Sequence, residues 1–145
     1  MKDPIHDPIT ILCQDFQMLE SWEDKYSYII ELGEKLPPYP DEYKTDAWRV
    51  HGCLSRLWVM PGPNHSARSV HFLADSDALI SKGLAALILL AVNHKPANEV
   101  AQMDFSFLHT IGLGQHLSPS RANGLRALVK RVKELAAKTQ NGIKQ

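Results

Sequence analysis

Cysteine is scarce in this chain, with two in 145 residues, Cys13 and Cys53. That scarcity excludes a disulfide framework, a four-thiolate zinc site and a cluster held by several cysteines. Seven histidines are scattered along the chain, and His51 with Cys53 makes one short pair with no second pair at finger-like spacing. Net charge is absent as well: 16 basic residues balance 16 acidic ones. A nucleic-acid partner held by phosphate neutralisation is therefore not expected. The longest apolar run, Leu84 to Val92, is too short to cross a bilayer, so no membrane role is expected. Met1 to Pro8 is acidic and broken by proline, unlike a secretory leader. Two distant cysteines suit a reducing compartment, and a cytoplasmic location follows as an expectation. Phosphate loops, dinucleotide fingerprints, serine nucleophile elbows and internal repeats are all missing.

What is present reads as a single domain over residues 1–145, with 1–8 expected to be flexible. Hydrophobic residues at 44% and charged residues at 22% are ordinary for a globular chain able to bury a core. Asp7-Pro8 suits a helix start, and Ile9, Leu12, Cys13, Phe16 and Leu19 recur on one helical face. On that stripe Cys13 reads as a small buried hydrophobe. Ser21 with Asp24 opens a second helix with Trp22, Tyr26, Ile29 and Ile30 on its apolar side, and Gly33 stands where a C-terminal cap belongs. The Leu36-Pro37-Pro38-Tyr39-Pro40 run reads as a stiff linker.

Three strands are predicted next, Thr45–Val50, Leu57–Met60 and Arg68–Leu73, giving an antiparallel meander. Asp75-Ser76-Asp77 then reads as the opening of a long helix. Its body is apolar on more than one side, the signature of a buried central helix, and Gly83 within it signals close packing. A short helix over Ala97–Met103 and a further piece over Phe105–Leu113 follow. Ser118 caps the last helix, Pro119 occupies its first position, and Leu125, Leu128, Val129, Val132, Leu135 and Ala136 form its stripe. Helices, then strands, then helices without alternation define an α+β fold, with a small three-stranded antiparallel sheet packed against helices.

The chemically pointed feature is Arg49-Val50-His51-Gly52-Cys53-Leu54-Ser55-Arg56. It places Cys53 at a turn between two strand candidates, and Gly52 permits positive φ and close approach by a partner's backbone. Arg49, Arg56 and a protonated His51 would favour the thiolate, whose ordinary pKa is about 8.5. A structural turn cysteine is the plain alternative. No histidine is identified by sequence as an oriented base, which leaves thiol exchange as the fitting chemistry.

Four stretches in order resemble the SufE/CsdE sulfur acceptors. They are Trp22-Glu23-Asp24-Lys25-Tyr26 with Tyr28–Gly33; Gly52-Cys53-Leu54-Ser55-Arg56-Leu57-Trp58; Asp75-Ser76-Asp77-Ala78 with Lys82-Gly83-Leu84; and Leu117-Ser118-Pro119-Ser120-Arg121 with Gly124-Leu125. Leu57 stands where valine is more usual in that family, and His51 inherits no role. The resemblance implies a SufE/IscU-like fold and a persulfide on Cys53. It implies transfer from a SufS- or CsdA-like cysteine desulfurase, stimulation of that enzyme, and delivery to an Fe–S scaffold or another sulfur acceptor. Such a protein acts with the desulfurase rather than alone and binds no cofactor, since pyridoxal phosphate belongs to the partner. A homodimer stays open. Arg121 is out of step with the helix dipole and becomes the candidate for stabilising the sulfur anion, against a surface ion pair. Asp77 is the candidate for holding the cysteine loop, against a plain helix-start carboxylate, and Ser55 for orienting it, against a turn hydrogen bond. The competing functions are a non-catalytic desulfurase regulator and, more remotely, a cysteine-dependent hydrolase.

Overall fold

Helix α3, Leu79–Val92, is the element everything else covers. Ten of its residues are buried, from Ser81 to Val92, as its apolar circumference demands. The structure is a computed structural model that describes residues 7–52 and 54–142. Two helices precede α3: α1, Pro8–Met18, and α2, Trp22–Glu34. Three follow it: α4, Ala97–Gln102; α5, Phe107–Thr110; and α6, Pro119–Gly142. Helix α2 lies along α3, α6 packs on α4 and α3, and the strands lie against α3 and α6.

The α2–α3 crossing depends on two missing side chains. A Cβ on Gly83 would stand 2.1 Å from the Ile29 carbonyl oxygen, and one on Gly33 would stand 2.8 Å from the Gly83 nitrogen. Gly33 is thus a buried packing residue inside α2, not the C-terminal cap that its place in the sequence suggests; the cap position falls at Lys35. Ser21 does cap α2, its Oγ accepting the Asp24 N–H at 3.1 Å. Asp7 makes no side-chain cap to α1; its carboxylate instead lies 3.7 Å from the buried Lys95 ammonium.

The sheet has two described strands rather than three: β1, Leu57–Pro61, antiparallel to β2, Phe72–Ser76. Leu57, Val59, Phe72 and Ala74 face the main core, while Trp58, Met60 and Leu73 meet Tyr39 and Trp48 on the other face. This is the period-two alternation of a strand, with both faces covered. The expected strand Thr45–Val50 forms a 3-10 turn at Asp46–Trp48 and a single bridge from Arg49 to Trp58. Its aromatic content serves packing over the sheet, which strand propensity alone does not distinguish from ladder pairing. The expected strand Arg68–Leu73 is shifted towards the C-terminus. The backbone of Val70 bonds to the turn after α3 (Val70 N to Lys95 O, 2.9 Å; His94 N to Val70 O, 2.8 Å), so pairing with β1 begins at Phe72.

The proline-containing linker is a cover for the outer sheet face, where Tyr39 is buried. Lys44 fastens it, its Nζ lying 3.0 Å from Asp75 Oδ2 and 5.7 Å from the centre of the Trp58 ring. Lys82 of α3 reaches the other oxygen of Asp75 at 3.4 Å. Burial pushes the Asp75 carboxyl up, but the Lys44 hydrogen bond, the Ser76 N–H and the Lys82 charge outweigh it and hold the group below its ordinary range.

Candidate functional site

The loop from His51 to Arg56 leaves Val50 and returns into β1. At its base the Val50 N–H donates to Leu57 O at 2.7 Å, closing the neck. Gly52 has φ +107°, the left-handed region that its lack of a Cβ allows, and it lies alongside α6, where an added Cβ would come 3.6 Å from Ala127 Cβ. Cys53 itself lies outside the described residues. Its neighbours His51, Gly52, Leu54 and Arg56 are exposed, with Leu54 at 90%.

The returning limb is held firmly at one residue. The Arg56 N–H donates to Asp77 Oδ1 at 2.9 Å, while the Arg56 carbonyl accepts from Ser76 Oγ at 2.6 Å and from the Asp77 N–H at 3.2 Å. Asp75 and Ser76 belong to β2, and α3 begins only at Leu79 with no side-chain cap, so the Asp-Ser-Asp run does not open the helix. Its Ser76 and Asp77 serve the neighbouring loop backbone instead. Ser76 was not legible as a site residue, because an acidic run with serine reads equally well as a helix start.

Ser118, Ser120 and Arg121 come from the start of α6. Ser118 Oγ accepts the Arg121 N–H at 3.3 Å, the expected capping bond. Ser120 Oγ accepts the Leu54 N–H at 3.2 Å, which brings the first turn of α6 to the cysteine loop. The Arg121 side chain is exposed and forms no ion pair among the described residues, so the surface-pair alternative gains no support. It lines a crevice of about 10 Å³ with Leu57, Ser81 and Leu84. Ser55 is half-buried, and its hydroxyl makes no hydrogen bond among the described residues.

Cys13 is half-buried in α1, and burial, reinforced by the Asp7 charge, pushes its thiol pKa up, the wrong direction for a nucleophile. Among the described residues, no three His, Cys, Asp or Glu side chains gather as a metal site. None of the described helices is long and apolar enough to cross a membrane.

Comparison with known proteins agrees with this arrangement. The SufE profile, described as an Fe-S metabolism associated domain, matches residues 10–136. An uncharacterized SufE-like protein of Rhizobium etli is 41% identical over 128 residues, covering 86% of this chain and 86% of the relative. Another from Rhizobium meliloti is 39% identical over 128 residues, covering 86% of this chain and 91% of the relative. The solution structure of a hypothetical protein from Thermus thermophilus superposes with a TM-score of 0.76 over 97% of this chain and 99% of that one; at 22% identity it speaks for the fold alone. With a family match running from α1 into α6, and relatives at about two-fifths identity over most of their length, this chain belongs to the SufE family, associated with Fe–S metabolism.

Proposed function

We propose that this protein is a sulfur acceptor and carrier that takes persulfide sulfur from a SufS- or CsdA-like cysteine desulfurase onto Cys53. The observation that carries the reading is the loop construction. The cysteine-bearing turn has exposed flanks and a glycine at φ +107°, yet its returning limb is anchored three times through Arg56. A carrier thiol needs both properties: access for a partner's active site, and a fixed stem against which the tip is presented.

The transfer is a thiol–persulfide exchange. The Cys53 thiolate attacks the terminal sulfur of the desulfurase persulfide. A new sulfur–sulfur bond forms on Cys53 as the old one breaks, and the desulfurase cysteine leaves as a thiolate. Electrons and protons balance without an external oxidant. Removal of sulfur from cysteine belongs to the partner's pyridoxal phosphate, so this protein needs no cofactor of its own. Taking sulfur off the desulfurase frees its cysteine, which accounts for stimulation. Delivery to an Fe–S scaffold or another acceptor repeats the exchange.

Asp77 acts here as a positioning residue through the Arg56 N–H. Arg121, with its guanidinium free of ion pairs among the described residues, supplies the cation for the thiolate or persulfide anion. Alkylation rate against pH tests that role: Arg121→Ala should move the Cys53 profile to higher pH, and an unchanged profile removes it.

The carrier reading is tested by mass spectrometry after incubation with a cysteine desulfurase and free cysteine. Trypsin isolates residues 50–56, which contain Cys53, from the peptide containing Cys13. One added sulfur on the former and none on the latter is expected, and Cys53→Ser should abolish both loading and stimulation. Stimulation that survives Cys53→Ser would make the protein a regulator. Turnover of small esters or amides without a desulfurase would make it a hydrolase.

A further inference from the structure

We infer that Ser120 is the positioning residue that holds the tip of the cysteine loop in its resting place. The inference rests on the reading that this loop presents Cys53, and it comes from the uneven distribution of hydrogen bonds along the loop. Arg56 is bound through both its N–H and its carbonyl. Between His51 and Ser55, the hydrogen bond from Leu54 N to Ser120 Oγ is the single one found among the described residues. Packing adds little at Leu54 itself, whose side chain is 90% exposed.

Ser120 is available because the capping of α6 is carried by another residue. Ser118 Oγ already accepts the Arg121 N–H, so the hydroxyl two residues on is free to face outward from the first turn. Pro119 between them fixes the entry of the helix and contributes no N–H. The Leu54–Ser120 bond is solvent-exposed and neutral, which places it among the weak hydrogen bonds. The two ends of the loop therefore differ in kind. Arg56 is a multiple anchor to the end of β2, and Leu54 is a single contact that water or a partner's backbone carbonyl can replace. Breaking it releases the tip while the stem and the fold remain in place.

Ser120→Ala removes the acceptor, and Ser120→Thr keeps a hydroxyl at the same site. The full chain is treated with a slow alkylating reagent, and the Cys53 and Cys13 peptides are followed in the same sample. Amide hydrogen exchange at Leu54 is measured alongside. For Ser120→Ala the expected result is Cys53 alkylation and Leu54 exchange both faster by about fivefold, the range of one exposed hydrogen bond. The Cys13 rate should stay unchanged, the melting temperature should fall by no more than a few degrees, and Ser120→Thr should return both rates towards those of the original protein. Equal Cys53 and Leu54 rates in Ser120→Ala and the original overturn the proposal. So does a Ser120→Thr variant as fast as the alanine variant, which would make the effect one of helix-start packing. These readouts need no desulfurase. Faster alkylation without sulfur loading would leave the positioning role intact and remove the carrier reading, whereas loading with unchanged rates would do the reverse.

Discussion

The α2–α3 crossing and the cysteine loop both depend on glycine, for opposite reasons. At Gly83 the missing Cβ allows two backbones to touch, since an added carbon would stand 2.1 Å from the Ile29 oxygen. At Gly52 there is space, the nearest atom to an added Cβ being 3.6 Å away, and what glycine supplies is φ +107°. One glycine is a steric requirement of the core; the other is a conformational requirement of the site. The first lets α2 and α3 cross in backbone contact; the second supplies the turn beside the cysteine.

Gly83→Ala gives the largest effect that would separate the two regions. The colliding atoms are backbone, with no flexible side-chain end to swing aside, so α2 and α3 must move apart. Overpacking a close-packed interior costs about 3 kcal/mol. Chemical denaturation should show a loss of that size, with Cys53 alkylation in the folded fraction unchanged. A loss under about 1 kcal/mol would mean that the crossing relaxes easily and that the contrast with the loop is overstated.

Gly52→Ala should have a smaller effect and a different signature. A side chain in the left-handed region costs about 1–2 kcal/mol, with no collision added. That strain is met locally, by the loop giving up its resting conformation. The alkylation rate of Cys53 should therefore change more than global stability does. Equal losses of stability for Gly52→Ala and Gly83→Ala would erase the distinction.

The same contrast separates what the sequence could and could not disclose. Long apolar stripes announced α1, α2, α3 and α6, because a buried helical face imposes a period that few other arrangements produce. Gly83 was legible as a close-packing site, whereas its partner Gly33 was hidden by standing where a helix cap is also reasonable. The strand count failed for a related reason. Thr45–Val50 carries residues suited to a half-buried surface, and the chain uses them as a cover, with Trp48 packed on Tyr39 and Trp58. At the loop, the Gly-Cys pair and the Ser-Pro-Ser-Arg start of α6 were visible in the sequence. The hydrogen bonds joining them were not, since Ser120 and Leu54 meet across 66 positions of chain. Asp77 was a candidate for holding the loop, with a plain helix-start carboxylate as the alternative; that its partner is the Arg56 backbone is something only tertiary structure supplies.

The smallest effect concerns a second tie to α6, at the far end of the hairpin from the cysteine loop. His65 Nδ1 accepts the His71 N–H at 2.9 Å, so Nε2 carries the proton and donates to Thr139 Oγ1 at 2.7 Å. Thr139 donates onward to Leu135 O at 2.8 Å. Burial lowers the imidazole pKa below the ordinary histidine value, and the neighbouring His71 charge acts in the same direction; the His71 carbonyl, 3.2 Å from Nδ1, opposes them without reversing the direction. The fold therefore favours neutral His65. Its contribution is complete above the unfolded-state pKa of about 6.5 and declines as pH falls from there towards the lowered folded value, because the unfolded chain takes up the proton first. His65→Gln should cost about 1 kcal/mol at pH near 8, where both hydrogen bonds are formed. It should also flatten the fall in stability as pH drops below about 6.5. A melting-temperature profile of the two proteins across that range checks the sign. If the original protein becomes more stable relative to the variant on acidification, the neutral-histidine tie is wrong. The cysteine loop should remain indifferent to this substitution, with Cys53 alkylation unchanged at a fixed pH, since the tie meets α6 at Thr139 and the loop meets it at Ser120.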